Sequence, residues 1–153
     1  MEVLQTEPDR TVLLEAGGAV VRKVFHSDDP STSLGLAERE FEILGRFQAA
    51  LSDLPSSTCP RPLELGRGDE VYVRMERASG LPMQDHLDLR GWPKGMEQQL
   101  STALRQGLIR YVQTFDEPYW NFIFRNMFYD AERRLVTFLD FGFPQLYVPC
   151  SMS

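Results

Sequence analysis

Residues 126–142 read NMFYDAERRLVTFLDFG. Apolar runs at 122–129 and 135–139 flank the charged stretch Asp130-Ala131-Glu132-Arg133-Arg134, a pattern that predicts a hairpin. The second run, LVTFL, ends at Asp140, and Gly142 lets the backbone turn sharply just after it. Asn126 stands where the first strand begins, fourteen residues before Asp140. The hairpin therefore brings an amide oxygen and a carboxylate to one of its ends. Mg²⁺ is a hard cation that takes such oxygen donors. A Mg²⁺ held this way can bridge the phosphates of a nucleotide.

Outward from this segment the chain first shows strand signals. Residues 11–25 (TVLLEAGGAVVRKVF) carry two β-branched and apolar runs around Ala16-Gly17-Gly18, and the glycine pair supplies the positive φ of a tight hairpin. Residues 26–33, with Pro30, read as a loop. Leu36, Glu40, Ile43, Leu44 and Phe47 recur at helical spacing within 36–51. An amphipathic helix is expected there, with the four apolar residues against a sheet. Residues 53–62 read as a loop rich in proline and serine. Residues 63–65 and 71–75 flank a Gly66-Arg67-Gly68-Asp69 turn, a second hairpin expected beside residues 20–25.

After Glu76 the pattern turns helical. A short helix is expected over 81–89, and the longest over 96–115, with Leu100, Leu104, Leu108, Tyr111 and Val112 at helical spacing. The order predicts an α+β fold in one domain over 1–153. It comprises a small sheet-rich lobe over about 11–76, a helical lobe with the hairpin over about 77–143, and a tail over 144–153.

The chain has 153 residues, 42% hydrophobic and 25% charged, enough for a single domain with a core. Its net charge of -6 argues against a nucleic-acid or anionic-membrane partner, which would need a basic footprint. Cys59 and Cys150 have no metal-ligand spacing and are too few for a disulfide framework, so two free thiols in a reducing compartment are expected. MEVLQTEPDR has no secretory pattern, and no apolar run approaches the ~20 residues of a membrane span. The expectation is a cytoplasmic protein without a membrane span. Histidine occurs only at His26 and His86, which leaves little material for a histidine-based metal site or catalytic triad. Lysine occurs only at Lys23 and Lys94, so its appearance inside the strand VVRKVF is informative.

The segment from Asn126 to Gly142 resembles the catalytic-loop Asn through D-F-G passage of protein-kinase-like enzymes. It is closest to the aminoglycoside-phosphotransferase, lipopolysaccharide-kinase and UbiB-type atypical kinases. VVRKVF resembles the third strand of the small lobe, which implies that Lys23 contacts the α- and β-phosphates of ATP. AEREFEILGRF resembles the following helix, with Glu40 in register to pair with Lys23 and Glu38 as the alternative one slip away. VYVRMERASGLPMQDHL resembles the strand-and-hinge passage of small-molecule kinases. Met75 would then sit at the gatekeeper, and the backbone from Glu76 to Ala78 would contact adenine. The resemblance implies a two-lobed kinase-like fold, truncated in both lobes, with Asn126 and Asp140 as Mg²⁺ ligands. Each residue has a plainer reading alone: Lys23 as an edge-strand lysine, Glu40 as a solvated helix charge, Asn126 as a turn residue. Their shared order and spacing favour the site.

The chain departs from that family at three points. It has no G-x-G-x-x-G loop, so either it begins at the lobe's second strand or its phosphate-covering loop is very short. The catalytic Asp lies five residues before the Asn, and that position holds Asn121, whose amide cannot accept a proton as a carboxylate does. A second register pairs Asp116 with Asn121, and residues 113–121 (QTFDEPYWN) echo the Q-T-D-P-x-W-x-N of UbiB-type kinases. Eleven residues after Gly142 leave no room for an activation segment. Two functions remain open. One is a minimal phosphotransferase using ATP and Mg²⁺ on a small molecule or an unusual protein acceptor. The other is an inactive pseudokinase that serves a protein partner as an interaction module.

Overall fold

In a computed structural model, residues 1–90, 97–119 and 124–139 are described, with side chains for all of them but 87–90 and 125. In chain order the elements are β1 (Glu2–Glu7), β2 (Arg10–Leu14), β3 (Val20–Phe25), α1 (Pro30–Leu51), β4 (Ser57–Thr58), β5 (Pro62–Arg67), β6 (Val71–Glu76), β7 (Leu81–Pro82), α2 (Met83–Arg90) and α3 (Glu97–Phe115). A 3-10 turn (Phe124–Asn126), β8 (Met127–Asp130) and β9 (Leu135–Phe138) follow. The chain divides into two compact units. The first holds Met1–Gly45 and Arg61–Arg77, and the second holds Arg46–Pro60 and the chain from Ala78 onward.

The first unit is built on an antiparallel sheet in the order β1-β2-β3-β6-β5. The β2–β3 hairpin forms where the glycine pair predicts it, with φ of 94° at Gly17 and 75° at Gly18. β6 pairs with β3 along its whole length, from Val20 opposite Glu76 to Phe25 opposite Val71. β1 is an addition to the expected layout. EVLQTE has little apolar alternation, and what defines it as a strand is its pairing with β2. The small sheet therefore has five strands, and the hairpin between β1 and β2 turns on Pro8-Asp9 alone.

α1 starts at Pro30, earlier than the apolar spacing suggests. The Asp29 carboxylate accepts the Ser31 N–H at 3.1 Å and the Ser31 and Thr32 hydroxyls at 2.8 and 3.1 Å. Asp29 is thus a capping residue, and Pro30 takes the first helical position, where its missing N–H costs nothing. Within the first unit the helix buries Ala37, Glu40, Ile43 and Leu44, while Leu36 is only half-buried, contrary to its predicted place in the stripe. Phe47 is fully buried in the second unit, where its ring meets Tyr111 edge-on at 5.1 Å. It does so because the last turns of α1 belong to that unit rather than to the first sheet.

The second unit contains a sheet in the order β4-β9-β8-β7, in which β4 runs parallel to β9 and the other pairs are antiparallel. β4 lies inside the stretch expected to be only loop; its two residues pair with Val136 and Thr137, partners far along the chain. α3 turns Leu100, Ala103, Gly107 and Tyr111 inward. Leu104 and Leu108 are half-buried and Val112 is exposed, so the core-facing stripe carries smaller residues than predicted. The reason is Phe138, whose ring fills the space beside Gly107. Phe47, Tyr111, Tyr119 and Phe138 form an aromatic cluster with ring centroids 5.1–5.9 Å apart. Cys59 is buried here, and burial pushes its thiol up, which suits packing rather than reactivity. Among the described residues no helix is long and apolar enough to cross a membrane.

Candidate functional site

In the first unit β3 carries Lys23 on the sheet face shared with Phe25, and α1 presents Glu40 to it. Lys23 Nζ donates to Glu40 Oε1 at 2.7 Å, with side-chain exposures of 6% and 5%. Glu38 lies on an exposed flank of the same helix, where its carboxylate meets Arg67 at 3.5 Å. The helical register therefore selects Glu40 over the alternative one slip away. Removing two charges from water costs several kcal/mol per ion, which only a close, well-bonded contact offsets. A pair this buried is a costly feature to keep for structure alone.

The residues expected to contact adenine stand at the end of β6 and just after it. The Glu76 N–H donates to the Arg61 carbonyl at 3.0 Å, and its carboxylate is paired with Arg61 at 2.7 Å in an exposed position. The Arg77 N–H donates to the Ala19 carbonyl at 3.0 Å. Met75 is buried, and Ala78 is half-buried.

In the second unit Asn126 is half-buried in the 3-10 turn that leads into β8, and its carbonyl accepts the Leu139 N–H at 3.0 Å. Leu139 is also bonded from the other side, because the Tyr119 hydroxyl donates to its carbonyl. The residue just before Asp140 is thus tied to Asn126 and to Tyr119. Asp140 and Asn121 themselves lie outside the described residues. An amide and a carboxylate, the residue types expected as ligands at 126 and 140, are oxygen donors of the kind a hard cation such as Mg²⁺ takes. Asp116 ends α3 in the left-handed region, with φ of 55°, and its N–H closes on the Val112 carbonyl at 2.8 Å. That is a helix-terminating position. Among the described residues no cluster of three or more His, Cys, Asp or Glu could hold a metal.

Two features were not read from the sequence. One is the Tyr119 bond to Leu139; the spacing of an isolated tyrosine gives no sign of it. The other is the Pro8-Asp9 turn. It was hidden because β1 was not recognised, although an adjacent Pro and Asp is an ordinary turn signal.

No family model matches the chain, and no curated protein matches it. Among solved structures it is similar to the PK-1 kinase of Cydia pomonella granulovirus. The TM-score is 0.63 at 14% identity, over 93% of this chain and 52% of that one. The chain thus spans about half the length of that kinase. At this identity the likeness bears on architecture alone. The chain has a protein-kinase-like α+β fold.

Proposed function

We propose that the chain is a kinase-like domain that binds ATP with Mg²⁺. Lys23 serves as the phosphate contact, and Glu40 positions it. The backbone from Glu76 to Ala78 is the adenine contact, and Asn126 and Asp140 are the Mg²⁺ ligands. The buried 2.7 Å pair of Lys23 and Glu40 carries this reading, since a costly ion pair is explained if its lysine serves a polyanion. The bond from Leu139 to the Asn126 carbonyl supports the metal half, because it ties Asn126 to the residue preceding Asp140. The resemblance to atypical and small-molecule kinases makes a small molecule or an unusual protein the phosphate acceptor, and the setting is cytoplasmic.

A second reading has its own observation. The turn between β1 and β2 is Pro8-Asp9 alone, and a turn so short offers few backbone N–H groups to phosphate. This favours an inactive pseudokinase that acts through a protein partner. Calorimetric titration with Mg-ATP tests the shared core of both readings. Binding that is lost in the folded double variant Lys23→Met/Glu40→Leu and weakened in Asp140→Ala supports it. Absence of nucleotide binding in the folded protein removes it. ATP turnover then separates the two.

A further inference from the structure

We propose that Arg10 is a second phosphate-contacting residue, standing in for the loop amides that the Pro8-Asp9 turn lacks. This rests on the nucleotide-binding reading and deepens it.

The argument starts from register. In the β2–β3 ladder Val12 lies opposite Lys23 and Arg10 lies opposite Phe25. Side chains two apart share a sheet face, so Arg10, Val12 and Leu14 of β2 project to the same side as Lys23 and Phe25. Arg10 and Lys23 are then diagonal neighbours, about 7–8 Å apart, a separation that long side chains cross. Val12 and Leu14 are the apolar choices expected for this face, and Arg10 is not. Its side chain is only 8% exposed, nearly as hidden as that of Lys23.

Each of these two cations is held by a carboxylate. Lys23 is paired with Glu40, and Arg10 is paired with Glu7 across the hairpin turn at 3.0 Å. The two carboxylates differ in exposure. Glu40 is buried, whereas the Glu7 side chain is 35% exposed. Of the two carboxylates, Glu7 is therefore the one that a ligand can meet from solvent. A phosphate group carries more charge than a carboxylate and matches the guanidinium fork with two parallel hydrogen bonds. It can therefore displace Glu7. The turn itself provides little competition for this role. Pro8 has no N–H, so the turn has one amide fewer to offer phosphate.

The test is titration of the full chain with Mg-ATP and, separately, with adenosine. Arg10→Gln should weaken ATP by about tenfold or more while leaving adenosine unchanged, because only the phosphates lose a partner. Arg10→Lys should recover part of the loss. Glu7→Gln should tighten ATP several-fold by removing the carboxylate that competes with phosphate for the guanidinium. Wild-type affinity for ATP in Arg10→Gln overturns the proposal. Tighter ATP binding in that variant also overturns it, and marks Arg10 as an occupant of the phosphate position rather than a ligand for it. If Arg10→Gln does not fold, Glu7→Gln decides, and unchanged ATP affinity there is a refutation. ATP binding that the folded Lys23→Met/Glu40→Leu variant abolishes and the Arg10 and Glu7 variants leave intact defeats this inference alone. Failure of the wild type to bind either ligand defeats the nucleotide reading with it.

Discussion

Gly107 of α3 lies against the ring of Phe138 so closely that a Cβ at position 107 would sit 2.3 Å from two of the ring carbons. The ring has nowhere to go. Phe138 is fully buried and is flanked by Phe47 at 5.9 Å and Tyr119 at 5.8 Å. An alanine normally gains up to about 1 kcal/mol over glycine inside a helix. Overpacking a filled core costs about 1–3 kcal/mol, and here it wins. Gly107→Ala should lower the melting temperature by a few degrees, of the order of 2–8 °C for a chain of this size. A melting temperature that stays level or rises would mean that Phe138 does not pack on α3 as described.

Lys23→Met should be much worse for the fold than the paired replacement. Alone it leaves Glu40 buried without its cation, at a cost of about 3–5 kcal/mol. The double variant Lys23→Met/Glu40→Leu removes both charges and should recover most of that stability, while losing ATP. Urea unfolding of both variants reads the difference. Equal losses in the two would show that the pair is not electrostatically coupled.

The Glu15 carboxylate makes the stability pH-dependent in a stated direction. It accepts two bonds from Arg74, at 2.8 and 3.0 Å, and one from Arg22 at 3.3 Å. The Arg74 bonds foremost, with help from Arg22, hold its carboxyl below the usual value of 4.5. A carboxyl depressed in the folded state stabilises the fold above its unfolded pKa, and that contribution is lost as pH falls through the folded value. Wild type should therefore be more stable than Glu15→Gln at pH 6, with the gap closing as the pH is taken below 4.5. A gap that is the same at pH 6 and pH 3 contradicts this account.

On the proposed nucleotide-binding reading, any phosphotransfer depends on whether Asn121 or Asp116 stands at the base position. Asp116 ends α3 with φ of 55°, a conformation that Asn adopts as readily as Asp. Asp116→Asn therefore tests chemistry without disturbing the helix end. Wild-type turnover of ATP should be weak or absent. If residual activity is present, Asn121→Asp should raise it, by as much as the 10²–10⁴-fold that a general base contributes. Asp116→Asn should leave it unchanged. Strong phosphotransfer abolished by Asp116→Asn would instead make Asp116 the base.

The parts that were legible in the sequence are those fixed by local chemistry. The glycine pair marked the β2–β3 turn, and helical spacing placed Glu40 rather than a neighbour toward the sheet that carries Lys23. What escaped depends on partners distant in sequence. β1 is polar and exists by pairing with β2, and β4 is two residues that need β9. Proline misled at the start of α1, where Pro30 opens a helix behind its Asp29 cap instead of interrupting the chain. At the candidate site, the Lys23 side was readable because lysine is scarce in this chain and one of its two stands inside the strand VVRKVF. The Arg10 side was not, because the strand run was read only from Thr11 and the polar β1 that carries its partner Glu7 was not recognised.

The parallel pairing of β4 with β9 sets a timetable for the nascent chain. Thr58 pairs with Thr137, 79 residues later, so β4 emerges from the ribosome long before its partner strand is made. At about 5–20 residues per second that delay is roughly 4–16 s. The strands of the first sheet are all present by Glu76 and can close during this interval. Phe47 and Tyr111 must meanwhile wait for Phe138 with their rings incompletely covered. The second unit is thus the portion most dependent on chaperones during translation, and ribosome stalling within the α3 codons should leave it open to protease while the first sheet is already resistant.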